Sequence, residues 1–448
     1  MGTILIKNAR IINEGRSQKG DLLIKGQFIS AAGASGSLQI PEDTKIIDAE
    51  GLVLIPGVID DHVHFREPGL THKADILSES IAAAAGGVTS FMEMPNTIPQ
   101  TVSLKAVEEK FRIGAEKSLI NYSFYIGATN NNIKEILEAD PSEICGIKIF
   151  MGSSTGNMLL NDEKTLTQLF RRAKLPVAAH CEDETLIKRN AELFIAKYGN
   201  DITADMHPLI RTRDACFRST LKAVTLASEF GTRLHVLHIS TADELKLFNN
   251  ELPPDRKNIT AEVCVNHLWF DDAYYEKLGN TIKCNPAIKT RFDREALISS
   301  VNNDLTDVIA TDHAPHTIEE KNKPYPEAPS GIPVIQHSLV AMLELWHKKL
   351  IGLEKIVEKM CHNPALLYKI SRRGFIREGY KADLCLFDPN RPWTVTKDNI
   401  LYKCGWSPFE NTTFKSRIIM TIVNGNIVYN EGAVNAGYRG EKLVFDRL

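Results

Sequence analysis

Two imidazoles stand two residues apart in the octet His62-Val63-His64-Phe65-Arg66-Glu67-Pro68-Gly69. Imidazoles so spaced at the end of an apolar run can grip one metal ion. Arg66, two residues on, is a cation with the planar fork that suits an anionic substrate held beside that metal. The run before the octet, LVLIPGVID over 52–60, is short, β-branched and free of charge until its last residue. That is the pattern of a strand buried on both faces. Side chains alternate along a strand, so His62 and His64 point the same way.

From Leu52 to about Leu367, short apolar runs alternate with amphipathic or alanine-rich stretches, the pattern of repeated βα units. Strands are expected at 52–60, 88–94, 122–127, 144–150, 176–180, 233–238, 259–265 and 307–312. Helices are expected at 74–85, 101–118, 162–174 and 214–230, the first and last followed by glycines suited to a helix C-terminus. Eight parallel strands, each followed by a helix, make a TIM-type barrel. The first 50 residues and the last 70 read instead as short strands with turn glycines, so both termini are expected to build one small β-domain. The expected division is 1–51 with 379–448 for that domain and 52–378 for the barrel.

In a TIM barrel the chemistry sits at the C-terminal strand ends. There the sequence offers His62 and His64 on the first strand, Lys148 on the fourth, His180 on the fifth, His238 on the sixth and Asp312 on the eighth. Imidazole and carboxylate are ligands that zinc, iron, manganese or nickel accept at a hydrolytic site. Alternation in GIKIF turns Lys148 away from Ile147 and Ile149, toward the barrel axis. A lone ammonium there is expensive and tends to lose its proton. The neutral amine can react with carbon dioxide to a carbamate that bridges two metals; the alternatives are a lysine that reaches solvent or one paired with Asp312.

Composition excludes other classes of function. A chain of 448 residues, 43% apolar, with formal charge -3 and no basic cluster gives no reason for nucleic acid or an anionic membrane as partner. A small-molecule substrate is the default. No apolar stretch approaches the roughly 20 residues that cross a bilayer, and the N-terminus enters a strand-like pattern directly. A cytoplasmic location is expected. The eight cysteines show no C-x-x-C spacing and read as reduced core residues. Cys181 adjoins His180, and that spot is better explained by its histidine.

HVHFREPG, the MPNT after the second strand, GIKIFMG, HCED, LHIS and ATDHAPH, in that order, together resemble the dihydroorotases, within the cyclic amidohydrolases of the amidohydrolase superfamily. The resemblance covers nearly the whole chain. It implies an α/β fold: a distorted TIM (β/α)8 barrel with a small β-sandwich domain built from both termini. It also implies two divalent metal ions, usually Zn2+. By position, His62, His64 and Asp312 would bind the more buried ion and His180 and His238 the other, with carboxylated Lys148 as the bridge. Asp312 would also be the catalytic proton carrier. Arg66, Asn96, Asn285, His316 and the backbone of Gly331 would bind substrate.

The implied reaction is the reversible closure of N-carbamoyl-L-aspartate to L-dihydroorotate and water in de novo pyrimidine synthesis. Some dihydroorotases carry an aspartate where this chain has Lys148, so the carbamate is transferred from lysine-bearing relatives. Ser330 stands where an aromatic residue often precedes the glycine, which leaves the fit over the pyrimidine ring open. The long segment 313–331, with four prolines, is a candidate lid. His267 is a candidate neighbour of the site. A homodimer and an association with aspartate transcarbamoylase stay open as partners. Two rival readings remain, a hydantoinase, dihydropyrimidinase or allantoinase, and a non-catalytic scaffold. Arg66 argues against the first and the complete ligand set against the second.

Overall fold

The computed structural model describes residues 2–152 and 158–447. Eight parallel strands follow one another in sequence order around a barrel: β1 (Val58–Val63), β2 (Val88–Glu93), β3 (Asn121–Gly127), β4 (Gly146–Phe150), β5 (Val177–His180), β6 (Leu234–Val236), β7 (Ile259–Cys264) and β8 (Val308–Ala310). Nearly every residue on them is buried, as parallel strands covered by helices require. The four expected helices are present as Ile76–Ala85, Leu104–Lys117, Glu163–Arg172 and Arg213–Phe230. Three that carried no clear signal, Glu184–Tyr198, Arg291–Asn302 and Ser338–His347, complete much of the outer ring.

The barrel is distorted where β8 meets β1. Those strands share no continuous ladder. Instead, Asp60 accepts from the Thr311 N–H at 3.2 Å and from its hydroxyl at 2.6 Å, and the His64 N–H donates to His313 O at 2.8 Å. A carboxylate thus replaces ladder bonds, which leaves the strand ends free to diverge around a cavity.

The strand expected over 52–60 is two strands. Val53–Pro56 pairs with Thr3–Asn13 and Leu384–Asp388 in the terminal sheet, and only Val58–Val63 enters the barrel. Gly57 separates them, at a point where a Cβ would lie 2.1 Å from Thr89 Oγ1. The uninterrupted apolar run hid the break, because both halves are buried. His62 consequently lies inside β1 rather than beyond it.

Both termini do form a sheet of their own, with nine strands. Strand Thr3–Asn13 is its branch point, pairing with Thr44–Asp48 through residues 3–7 and with Val53–Pro56 through residues 10–11. At the other end Phe28 and Ile29 meet residues 379–382, just ahead of Leu384–Asp388, so the sheet rolls back on itself over Ile6, Leu22, Ile24, Leu384 and Ile422.

The expected division needs correction on both sides. Residues 53–56 belong to the terminal sheet, whereas parts of 379–448 lie on the barrel. Trp393–Thr394 and Thr413–Phe414 pair separately, with Phe414 against Trp269, and Leu443 N–H donates to Tyr122 O on β3. Among the described residues no helix is long and apolar enough to cross a membrane.

Candidate active site

One cavity of about 300 Å3 opens at the C-terminal strand ends, and all eleven candidate residues line it: His62, His64, Arg66, Asn96, Lys148, His180, His238, Asn285, Asp312, His316 and Gly331. Phe150, Ala314, Pro329 and Ser330 complete the wall. Arg66, His238 and Asp312 adopt left-handed backbone angles, φ of +68°, +41° and +47°. For residues other than glycine these are sparsely populated, and such positions cluster at functional sites.

His62, His64 and Asp312 converge. Asp312 Oδ1 lies 3.3 Å from His62 Nε2 and 3.1 Å from His64 Nε2. Donors sharing a tetrahedral zinc at 2.0–2.1 Å would stand about 3.3 Å apart, so this set fits a metal ion. The other ring nitrogens are fixed from behind. His62 Nδ1 is 2.9 Å from Glu262 Oε1, and His64 Nδ1 is 2.7 Å from Asn96 Oδ1. Both partners accept, so each Nδ1 carries the proton and each Nε2 presents its lone pair to the cavity. Burial holds His64 down at about 4, so it is neutral at physiological pH. Burial pushes the Asp312 carboxyl up, but His62 and His64 outweigh it and leave its pKa below the ordinary value.

His180 and His238 form the second pair, Nδ1 to Nε2, at 2.8 Å. His180 Nε2 stands 2.9 Å from Glu182 Oε2. Against the upward push of burial, Arg211 and His180 keep Glu182 ionised, with its pKa at about 2. His180 therefore turns the lone pair of Nδ1 toward His238. Lys148 completes the set. It is 1% exposed, its Nζ lies 4.7 Å from the Phe150 ring centroid, and burial lowers it to about 8. It does not reach solvent, and the charge of Asp312 works against the lowering by burial without forming an ion pair among the described residues.

Arg66 faces the cavity from the loop after β1 and is 7% exposed. Its Nε donates to Pro315 O at 3.0 Å, and Nη2 stands 3.0 Å from His316 Nε2. Among the described residues no carboxylate forms an ion pair with it. The nearby Glu320 is engaged by Lys73 at 2.9 Å, which in turn lies 3.0 Å from His316 Nδ1. Asn285 Oδ1 is 3.1 Å from His207 Nε2, and Asn96 serves His64 as well as the cavity. Gly331 donates its N–H to Lys283 O at 2.8 Å.

Several residues escaped sequence reading. Glu262 sits inside ITAEVC, where a single carboxylate in a buried strand was the available signal. Besides His62 it accepts from the His238 N–H at 2.9 Å. Its second oxygen faces His235, which also stands 3.3 Å from Asp61. Burial works against a charge on His235, yet these two carboxylates raise it to about 9, so the cluster is an internally compensated imidazolium and pair of acids. Glu182, two residues past His180, supports a candidate ligand without lining the cavity. His267 does not line it either, and neither does Cys181, whose burial pushes its thiol up and disfavours the thiolate.

A family model described as the amidohydrolase family matches residues 53–428. The dihydroorotase of Methanosphaera stadtmanae is 31% identical, over 97% of this chain and 98% of its own. That of Clostridioides difficile is 32% identical, over 95% and 100%. Among solved structures, the L-hydantoinase (dihydropyrimidinase) from Arthrobacter aurescens superposes with a TM-score of 0.92 at 26% identity, over 99% of this chain and 100% of that one.

Proposed function

The chain belongs to the amidohydrolase family and is a hydrolase of cyclic amides; from that premise we propose that it is a dihydroorotase. Its reaction is the reversible closure of N-carbamoyl-L-aspartate to L-dihydroorotate and water, in pyrimidine synthesis. The observation that carries this reading is Arg66, a buried guanidinium that lines the cavity beside His64 and has no carboxylate paired to it among the described residues. Burial alone lowers it, to about 10, and leaves it charged. Asp312, Glu93 and Glu320 offset part of that burial without forming an ion pair, so an anion in the cavity would be the first direct charged partner of the guanidinium. The exocyclic carboxylate of dihydroorotate is such an anion, and hydantoin, dihydrouracil and allantoin rings lack it.

The residues divide the work accordingly. His62, His64 and Asp312 would hold one divalent metal and His180 and His238 a second, with Lys148, as a carbamate, supplying further oxygen donors. When bound, such a pair activates water near neutral pH and polarises a carbonyl, and zinc suits the donors. The lowered pKa of Lys148 favours the neutral amine that carbon dioxide needs. Asp312, an ionised carboxylate within reach of both first-strand histidines, accepts the proton of the attacking water and delivers it to the leaving ring nitrogen. Arg66, with Asn96 and His316 beside it, holds the carboxylate of the substrate, while Asn285 and the main chain at Gly331 border the ring. Ser330 replaces an aromatic side chain there and contributes its carbonyl, 3.1 Å from His316 Nε2.

The hydantoinase reading has the close structural match in its favour. A shared metal barrel serves both reactions, so side-by-side kinetics decide. The metal-loaded protein is expected to open dihydroorotate with a kcat/KM about a thousandfold or more above that for hydantoin and dihydrouracil, since a site built around a substrate group rejects analogues lacking it. Comparable turnover of all three rings would overturn the assignment.

A further inference from the structure

The segment 313–331 is organised around two buried ammonium groups. Lys321, 1% exposed, directs its Nζ to three main-chain carbonyls: Pro329 O at 2.9 Å, Gly331 O at 3.0 Å and Lys283 O at 3.1 Å. An ammonium has three donors, and here each has an acceptor. Lys283, 7% exposed, reaches Ala328 O at 2.6 Å and Tyr325 O at 2.7 Å, with the Tyr325 ring 4.0 Å away. Five carbonyls therefore converge on two cations, and four of the five belong to this one segment. Lys283 O is also the acceptor for the Gly331 N–H, so Lys321 and Gly331 share one oxygen.

The carbonyls that Lys321 gathers flank Ser330, and Pro329, Ser330 and Gly331 are a wall of the cavity. Ser330 O faces His316, the residue beside Arg66. His316 Nε2 lies within reach of both Ser330 O and Arg66 Nη2, and the neutral ring bonds one or the other, so the wall meets the guanidinium through the position of this imidazole. We infer that Lys321 is a positioning residue for the substrate, its ammonium standing where a bound cation would stand in a carbonyl-lined loop and holding 329–331 as a fixed wall rather than a moving lid. The inference rests on reading this cavity as the substrate site.

Burial brings Lys321 down to about 7, and the charges of Lys283 and Arg66 act the same way; the three carbonyls are the acceptors that favour its protonated form. Removing the ammonium leaves Pro329 O and Gly331 O without this donor, while Lys283 O keeps the Gly331 N–H, and the segment can relieve the loss by moving the two oxygens to water. Lys321 touches no candidate metal ligand, so metal content and the reacting groups stay as they are.

The test is Lys321→Met in the metal-loaded full chain. KM for dihydroorotate is expected to rise about tenfold or more while kcat stays within about threefold, because the lost interactions position substrate rather than stabilise the reacting atoms. Amide hydrogen exchange over 325–332 is expected to quicken about tenfold or more, with the barrel strands unaffected. Lys321→Gln, which retains two donors, gives a smaller change in both and serves if the methionine variant does not fold. In Lys321→Ala, propylammonium should lower the raised KM, and tetramethylammonium at equal ionic strength should not. Unchanged KM and unchanged exchange in the Met or Gln variant, or equal effects of the two amines, overturns the inference. The exchange measurement needs no turnover, so it stands even if the wild-type protein proves inactive on dihydroorotate, which would instead overturn the assigned reaction.

Discussion

Glu262 Oε1 stands 2.9 Å from Nδ1 of His62, on the side of the ring opposite Asp312. The same oxygen accepts the main-chain N–H of His238 at 2.9 Å. One carboxylate therefore sets the tautomer of a candidate ligand to one metal and anchors the backbone of a candidate ligand to the other. Glu262→Gln keeps the shape and removes the charge. Metal affinity is expected to fall about 10- to 100-fold, the usual scale for a partner behind a ligating histidine. Competition against a chromophoric chelator measures it, and wild-type affinity in the variant would show the carboxylate to be idle.

Arg66 gives the sharpest test of substrate class. Arg66→Met keeps much of the length and loses the charge-assisted bonds, so kcat/KM for dihydroorotate is expected to drop by about a hundredfold or more. Metal analysis should read the same as for the wild type. Retained turnover would separate the guanidinium from the substrate.

Gly331 has a φ of +146°, and a Cβ there would lie 2.4 Å from Ala314 O and 2.9 Å from His316 Cδ2. Alanine at this position strains the backbone and displaces either the wall or His316. KM for dihydroorotate is expected to rise by about tenfold, an effect of roughly 1.4 kcal/mol. Steady-state kinetics that match the wild type would show the space to be larger than the structure has it.

His337 links the fold to pH. It is fully buried, with Nδ1 3.1 Å from both Tyr402 Oη and Ser407 Oγ, and burial, aided by His313, holds it down at about 3. The unfolded chain takes up a proton near pH 6.5 that the folded chain refuses until about pH 3. Its contribution is therefore complete above pH 6.5 and declines as the pH falls, by up to about 1.4 kcal/mol per unit. His337→Phe removes the group while keeping a ring against Phe414. Denaturant unfolding at pH 7 and pH 5 should show the stability difference between wild type and variant shifting by about 2 kcal/mol in favour of the variant at pH 5. A difference that does not move with pH would rule this out.

The legible part of the site was the part that barrel geometry places at strand ends. His62, His64, Lys148, His180, His238 and Asp312 each follow or close an apolar run, and such runs mark where a strand finishes. Arg66 was legible by adjacency to that grip. Glu262 and Lys321 were not. A carboxylate within an apolar strand does not announce which neighbour it will face, and a lysine in the charged stretch TIEEKNK looks like solvated surface until the loop closes around it. The barrel as a whole followed from alternation. The split of 52–60 between two sheets did not, because burial is the same on both sides of Gly57.

The indole N–H of Trp406 donates to His316 O at 2.8 Å, although the two residues lie 90 positions apart and Trp406 comes after the whole barrel sequence. The backbone beside Arg66 is thus pinned by a part of the chain that is made late. A nascent chain that has emerged through Asp312 possesses every candidate metal ligand and still lacks this pin. Completion of this side of the pocket therefore waits for a segment made well after the barrel strands, and a chain cut short before Trp406 would hold the candidate metal ligands without the bond that fixes the backbone at His316.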